Sequence, residues 1–478
     1  MIPSKLQNLI DGRWTDAYTG NTLTKEDPTT GETIATLPDS TEEDAYMALD
    51  VATKFKSKLW LSLSQETLDK AFTNIQGELQ ERRTELVETL MRETGKNCKE
   101  ADAEITKTVQ TFETIQNMKY APLGEVLPSK DGVHMFTIRH PVGIVVSITP
   151  WNFPLYICAQ HIAPAIMAKN AVILKCSPKA PISSTKLVEI ISACGLPKEM
   201  ISLIHGQGEK LPNLITDPRV DMVSLTGSNK TAKEIGKKRR GRRYMFEGGG
   251  NNFTIILKDA DIKKAAEKTV EGLSQYSGQK CVTTGGALVE EEILQEFLKQ
   301  AKESMAKLRV GDTRRGADIG PLIDKEKIEE LEKKIQKAIK DGAQIIYGGR
   351  RANLEGQKGS FYQPTIIIVK KDQLILYEEL FAPILKVVAI KTFNEAVGII
   401  NSQDYALASS IFTNDSKKVW NFIQEIHAGM ININSHTGGS EPHTPFGGWK
   451  NSGNGFRLGN PQEALKAFSE TKTIKWKM

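Results

Sequence analysis

No stretch of this 478-residue chain is apolar for long enough to cross a bilayer; the longest such runs, residues 143–146 and 365–369, fall far short. The opening residues, Met1-Ile2-Pro3-Ser4-Lys5-Leu6-Gln7, carry no apolar signal core. Cysteine is scarce and scattered. Cys98, Cys158, Cys176, Cys194 and Cys281 form no Cys-x-x-Cys pair, which argues against a disulfide framework or a zinc knuckle, and no metal site is expected. An excess of one charge is missing too: 63 basic residues face 58 acidic ones, and a net charge of +5 is too small for a nucleic-acid binder. The dense basic run Lys237-Lys238-Arg239-Arg240-Gly241-Arg242-Arg243 follows a helical pattern over residues 230–236, where cations suit the negative end of the dipole. It reads as solvated surface. These absences predict a soluble protein of the reducing cytoplasm, with neither membrane nor nucleic acid as partner.

What is present is alternation. The length calls for two or three domains. Short apolar runs at residues 143–148, 171–174, 201–204 and 222–225 read as buried strands, and residues 183–193 and 210–216 between them as helices. A second series follows: strands at 253–257, 287–289, 345–347, 365–370 and 385–390, with helices at 262–273, 291–308 and 325–341. Strands interleaved with helices predict parallel α/β sheets. The turn-rich segment Phe246-Glu247-Gly248-Gly249-Gly250-Asn251 separates the two series. Residues 466–476 alternate like a half-buried terminal strand, which needs a sheet edge; a neighbouring subunit would supply one.

Four segments carry chemistry. Thr149-Pro150-Trp151-Asn152-Phe153-Pro154 directly follows a strand, where α/β folds collect ligands, and Asn152 offers an amide donor. Leu225-Thr226-Gly227-Ser228 joins a strand to a helix N-terminus, whose free N–H groups suit an anion; with Gly206-Gln207-Gly208 a dinucleotide pyrophosphate fits, although no full Gly-x-Gly-x-x-Gly is present. Glu247 on its glycine-rich backbone can approach a reaction centre as a general base. In Ser277-Gly278-Gln279-Lys280-Cys281, a cysteine flanked by glycine and a cation has reason to ionise. Each alone is weak, since a single cysteine is more often a small buried hydrophobe.

In this order, and with Lys175, Glu378-Glu379-Leu380-Phe381, Asn434 and Pro445-Phe446-Gly447-Gly448 followed by Lys450, Ser452, Gly453 and Gly455, the chain resembles the aldehyde dehydrogenase superfamily from about residue 7 onward. The resemblance implies an α/β fold in three parts. These are a Rossmann-like parallel-sheet cofactor domain (residues 1–117 and 139–248), an α/β catalytic domain (249–450), and a small β oligomerisation element (118–138 and 451–478). It also implies a homodimer or homotetramer. By the same resemblance the Cys281 thiolate attacks the aldehyde, and the Asn152 amide and Cys281 N–H hold the oxyanion. Hydride leaves to NAD(P), and Glu247 activates water against the thioester. Lys175 would meet the adenosine ribose, Ser228 the pyrophosphate, Glu379 the nicotinamide ribose and Phe381 its ring. Ile148, Thr149, Pro150, Trp151, Ser177, Pro178, Lys179, Gly208, Thr226, Gly227 and Gly249 complete the expected cofactor contacts.

Departures refine the expectation. Pro178 stands where NAD-preferring members carry Glu, and Lys179 beside it could attract a 2′-phosphate, which points to NADP over NAD. Gln160, His161, Lys280 and Ser440, with Phe153 and Phe446, suggest a polar substrate tunnel for glyceraldehyde, lactaldehyde or a semialdehyde acid. Gly286 and Arg457 replace a common Arg and a common Glu. A coenzyme A-acylating enzyme would lack the base at 247, and a non-catalytic, crystallin-like relative would have lost the cysteine or the glutamate; both residues are retained.

Overall fold

Residues 171–175 are buried from end to end, as are residues 144–147 and 201–204. Strands hidden on both faces belong in the middle of a parallel sheet. In the computed structural model, which describes residues 3–118, 124–354 and 358–477, they do. The first sheet runs in the order Arg243–Glu247, Met222–Thr226, Ile144–Ile148, Ala171–Lys175, Ile201–Ile204, Asn8–Ile10, Arg13–Thr15. The first five strands are parallel; the last two form a hairpin that caps the edge antiparallel. Its turn, Asp11-Gly12, has positive φ at both residues, the mirror-image geometry that matches strand twist.

The chain builds outward from Ile144–Ile148 to Ile201–Ile204, then returns to lay Met222–Thr226 on the opposite side, with Leu225 opposite Ile148. That reversal opens a crevice at the carboxyl ends of Ile144–Ile148 and Met222–Thr226, the place where such sheets bind ligands. Residues 248–251 lead into a second sheet, ordered Gln344–Tyr347, Thr365–Ile368, Ile384–Ile390, Thr284–Glu290, Asn252–Ile256, Ala408–Phe412, Met430–Ile433. Here only the edge strand Gln344–Tyr347 is antiparallel. Gly286 sits at its centre because any side chain would strike the Phe253 ring, 2.1 Å from a Cβ.

Three expectations need correction. The helix predicted over 210–216 is broken by Pro212 into a turn at Gly208–Lys210 and a single turn at Asn213–Thr216. The basic run is not all surface: Arg239 is buried and donates to the carbonyls of Ile215 (2.9 Å), Asp221 (3.2 Å) and Arg243 (3.1 Å). The terminal strand, Ser469–Lys477, is not lone; it pairs antiparallel along its whole length with Val133–Pro141, and Val126–Leu127 extends this third sheet. Residues 119–123, inside the expected oligomerisation element, lie outside the described residues. The helices Glu42–Lys54, Gln65–Glu81, Arg83–Thr94 and Cys98–Asn117 lacked a clear sequence signal; their buried stripes pack with the first sheet in one core. Among the described residues no helix is long and apolar enough to cross a membrane.

Candidate active site

The nucleophile loop is held by backbone strain and buried polar contacts. Tyr276 and Ser277 both take left-handed φ (49° and 52°), a conformation costing about 1–3 kcal/mol per residue that persists only where surroundings enforce it. The enforcement is visible. Tyr276 N–H donates to Glu100 (2.6 Å), Ser277 Oγ to the Gly320 carbonyl (3.1 Å), and Gln279 both accepts from Ile323 N–H (2.9 Å) and donates to Pro321 (3.2 Å). Gly278 is obligatory: a Cβ would sit 2.3 Å from the Ala382 carbonyl oxygen. Downstream, Asn252 Nδ2 grips the Cys281 carbonyl at 2.8 Å.

Cys281 emerges onto a cavity of about 520 Å3 that Glu247 also lines. Phe153, Gln160, Lys280, Ser440, Phe446 and Thr226 share that wall. His161 does not. Fully buried on the helix Tyr156–Met167, it turns toward the sheet, where Nε2 lies 2.8 Å from Thr226 Oγ1 and Nδ1 meets Ser224. Burial drives its pKa down to about 3, so it is neutral and takes no part in a substrate tunnel.

Burial also decides the nucleophile. It pushes the Cys281 thiol up to about 12, with the Glu379 charge adding to the effect. Lys280 opposes but does not win: its Nζ is spent on Gln275 Oε1 (2.5 Å), and its own pKa falls to about 8 through burial. The neighbouring cation was therefore a poor guide to ionisation. Glu247 is nearly fully buried, no side chain hydrogen-bonds to its oxygens among the described residues, and burial raises it well above the ordinary carboxylate range against the opposing pull of the Gly448 backbone N–H. Asn152 is buried beside the same loop, its amide donating to the Gln279 carbonyl at 3.2 Å.

Two residues that sequence reading missed hold the Asn152 loop. Lys96 and Glu104, both buried, pair with each other. Lys96 Nζ donates to the Asn152 carbonyl (2.6 Å) and lies 4.2 Å from the Phe153 ring centre, while Glu104 accepts the N–H groups of Leu155 (2.9 Å) and Tyr156 (3.3 Å). Their spacing along the chain matches no local pattern, so only packing reveals them.

The crevice is lined by Ile148, Thr149, Pro150 and Trp151 on one strand end and by Thr226, Gly227 and Ser228 on the other. Ser228 caps the helix Asn229–Lys238 by accepting Thr231 N–H. Glu379, held near 7 by burial, accepts Gly250 N–H at 2.9 Å, and a Cβ on Gly249 would lie 2.1 Å from its Oε2. Phe381 stands edge-on to Trp151, ring centres 5.5 Å apart. Lys175 Nζ donates to the Cys176 carbonyl at 3.1 Å, and Ser177 Oγ accepts Lys179 N–H at 3.3 Å. Pro178 and Lys179 border a separate cleft with Asp324, to which Lys179 is paired. Gly208 opens a surface turn, and the adjoining Gln207 N–H points to Asp39 at 3.4 Å. The switch-point crevice, the helix N-terminus, the glycine cradle and the edge-on aromatic pair fit a nicotinamide dinucleotide.

Residues 14–474 match the model of the Aldehyde dehydrogenase family. The chain belongs to that family. Its relatives include a lactaldehyde dehydrogenase of Methanocaldococcus jannaschii, 35% identical over 471 residues (97% of this chain, 99% of that one). A 2,5-dioxopentanoate dehydrogenase of Saccharolobus solfataricus is 34% identical over 406 residues (83% and 84%). Among solved structures, betaine aldehyde dehydrogenase of Staphylococcus aureus in complex with NAD+ superposes with a TM-score of 0.95 at 30% identity, covering 98% of this chain and 95% of that one. This family member is an α/β enzyme that oxidises small aldehydes to acids with a nicotinamide dinucleotide.

Proposed function

We propose that Cys281 and Glu247 divide the reaction between them, one making and the other releasing an acyl-enzyme. Their shared cavity carries this reading. The Cys281 thiol gives up its proton to water as its sulfur bonds to the aldehyde carbon, and the Asn152 amide with the Cys281 N–H takes up the charge on the former carbonyl oxygen; a donor of this kind is worth about 10²–10³ in rate. A bound nicotinamide dinucleotide supplies the acceptor for the hydride, leaving a thioester on Cys281. Glu247 draws a proton from water, the hydroxide adds to the thioester carbon, and the acid leaves as the thiol is regained. Incubating the protein with NADP or NAD and short aldehydes should give reduced nicotinamide and free acid without coenzyme A. A requirement for coenzyme A would overturn this assignment.

Within the family we assign a small polar aldehyde as substrate: hydroxylated, or carrying a carboxylate. Gln160, Ser440, Lys280 and Lys107 on the cavity wall support it, as do relatives named for lactaldehyde and 2,5-dioxopentanoate. We assign NADP over NAD because Pro178 cannot hold ribose hydroxyls as a carboxylate would. Since Asp324 already shares the Lys179 charge, the NADP preference in kcat/KM should be modest and should grow in Asp324→Asn. A strong preference for NAD would refute it.

We divide the chain into cofactor part, catalytic part and β element, a reading supported by the three largest of the five sheets. The outward edge of Ser469–Lys477, with Trp476 exposed, supports assembly as a homodimer or homotetramer through that edge. A monomeric mass by light scattering would rule that out. The five free thiols suit the reducing cytoplasm, and fractionation of cells checks it.

A further inference from the structure

Gly447 lies between the base and a residue that nothing above explains. A Cβ there would stand 2.6 Å from Glu247 Oε1 and 2.6 Å from Arg457 Nη1, so carboxylate and guanidinium are at most about 5 Å apart. The placement of Arg457 is not accidental. Its loop is stitched to the strand that carries Glu247: Gly248 N–H donates to Ser452 O (2.9 Å), Phe246 N–H to Asn454 Oδ1 (2.8 Å), and Asn454 Nδ2 to Tyr244 O (2.8 Å). Arg457 Nη1 is in turn steadied by the carbonyls of Gly448 (3.1 Å) and Phe456 (3.2 Å). The cation is thus fixed beside the carboxylate without touching it. Both carboxylate oxygens are buried, and neither takes a hydrogen bond from the guanidinium.

We infer that Arg457 is the positioning residue of the hydrolytic base, its charge limiting how far the dry pocket can favour the protonated form of Glu247. This rests on the reading of Glu247 as the residue that activates water. Burial raises the Glu247 carboxyl, and the Arg457 charge pulls it the other way. The remaining ionisable groups on the cavity wall do not replace it. Cys281 and Tyr156 are neutral, both raised to about 12 by burial. Lys96 is paired with Glu104, Lys280 and Lys107 feel Glu100 and Glu441, Lys99 is exposed to solvent, and His436 faces Glu271 at 3.8 Å. A direct salt bridge would stabilise the anion more, but it would also occupy the oxygens that must take the proton. A cation held one side chain's width away avoids that conflict.

The test is the pH dependence of thioester hydrolysis, followed by the mass of the acylated protein after a single turnover. In Arg457→Met the acid limb should move up by about one to three pH units. Hydrolysis at pH 7 should then slow at least tenfold, with dinucleotide binding and the hydride step unchanged. Arg457→Lys should restore most of the parent profile. Should the Met variant not fold, Arg457→Gln keeps donors for the two carbonyls while discarding the charge, and the same shift is expected. An acid limb at the parent's pH in the uncharged variant, or no rescue by lysine, overturns the inference. Glu247→Gln run alongside separates the two layers: if it hydrolyses the thioester as fast as the parent, the reading of the base has failed instead.

Discussion

Cys281→Ala loses all measurable aldehyde oxidation and still binds the dinucleotide. Cys281 is the proposed sulfur nucleophile, and it shares with Glu247 the wall of one cavity. Removing it leaves the Tyr276-Ser277-Gly278-Gln279 scaffold intact, because the contacts of that scaffold run through Glu100, Gly320, Pro321 and Ile323 and not through the thiol. Absorbance of reduced nicotinamide reads the loss, and calorimetric titration with the dinucleotide reads the retained binding. Normal turnover in the variant would end the mechanism. A companion observation concerns protonation. With burial holding the thiol near 12 in the free protein, alkylation of Cys281 by iodoacetamide should be slow at pH 7 and still rising beyond pH 10. A plateau reached near pH 7 would show that Lys280, not burial, governs the sulfur.

Glu247→Gln retains acyl transfer to the sulfur and loses about 10²–10⁴ in hydrolysis, the usual worth of a general base. Acylated protein should therefore accumulate and be weighed directly by mass spectrometry. The physical basis is deep burial. A carboxylate raised well above its ordinary value is a stronger base than one at the surface, and no other side chain shares its oxygens. The sign of the pH effect follows. Hydrolysis is at its full rate above the raised pKa and falls as pH drops through it, so the acid limb should lie above the range of a free glutamate. Absence of an adduct with an unchanged rate would remove Glu247 from the reaction.

Some departures from expectation share one cause. The resemblance places His161 with Gln160 in a polar substrate tunnel, since both depart from the residues common in the family there. Adjacent helical residues face directions about 100° apart, so one lines the cavity while the other turns to Ser224 and Thr226. Lys280 was read as an activator of Cys281 from adjacency alone. Adjacency says nothing about burial, and burial is the larger influence on both groups. Arg239 was read as surface from its charged neighbours. Its guanidinium instead finds four carbonyls, of Ile215, Val220, Asp221 and Arg243, that the fold brings together.

What could be known before folding was the parallel α/β plan and which residues are candidates for the chemistry. Glycine turns, strand-length apolar runs and the order of Asn152, Glu247 and Cys281 are local facts, written in consecutive residues and readable there. What waited for the fold was how those groups are held and charged. Lys96 reaches Asn152 across 56 positions, and Arg457 reaches Glu247 from the far end of the chain. Such contacts depend on which surfaces close against one another, and an ionisation state depends on how much water that closure leaves behind.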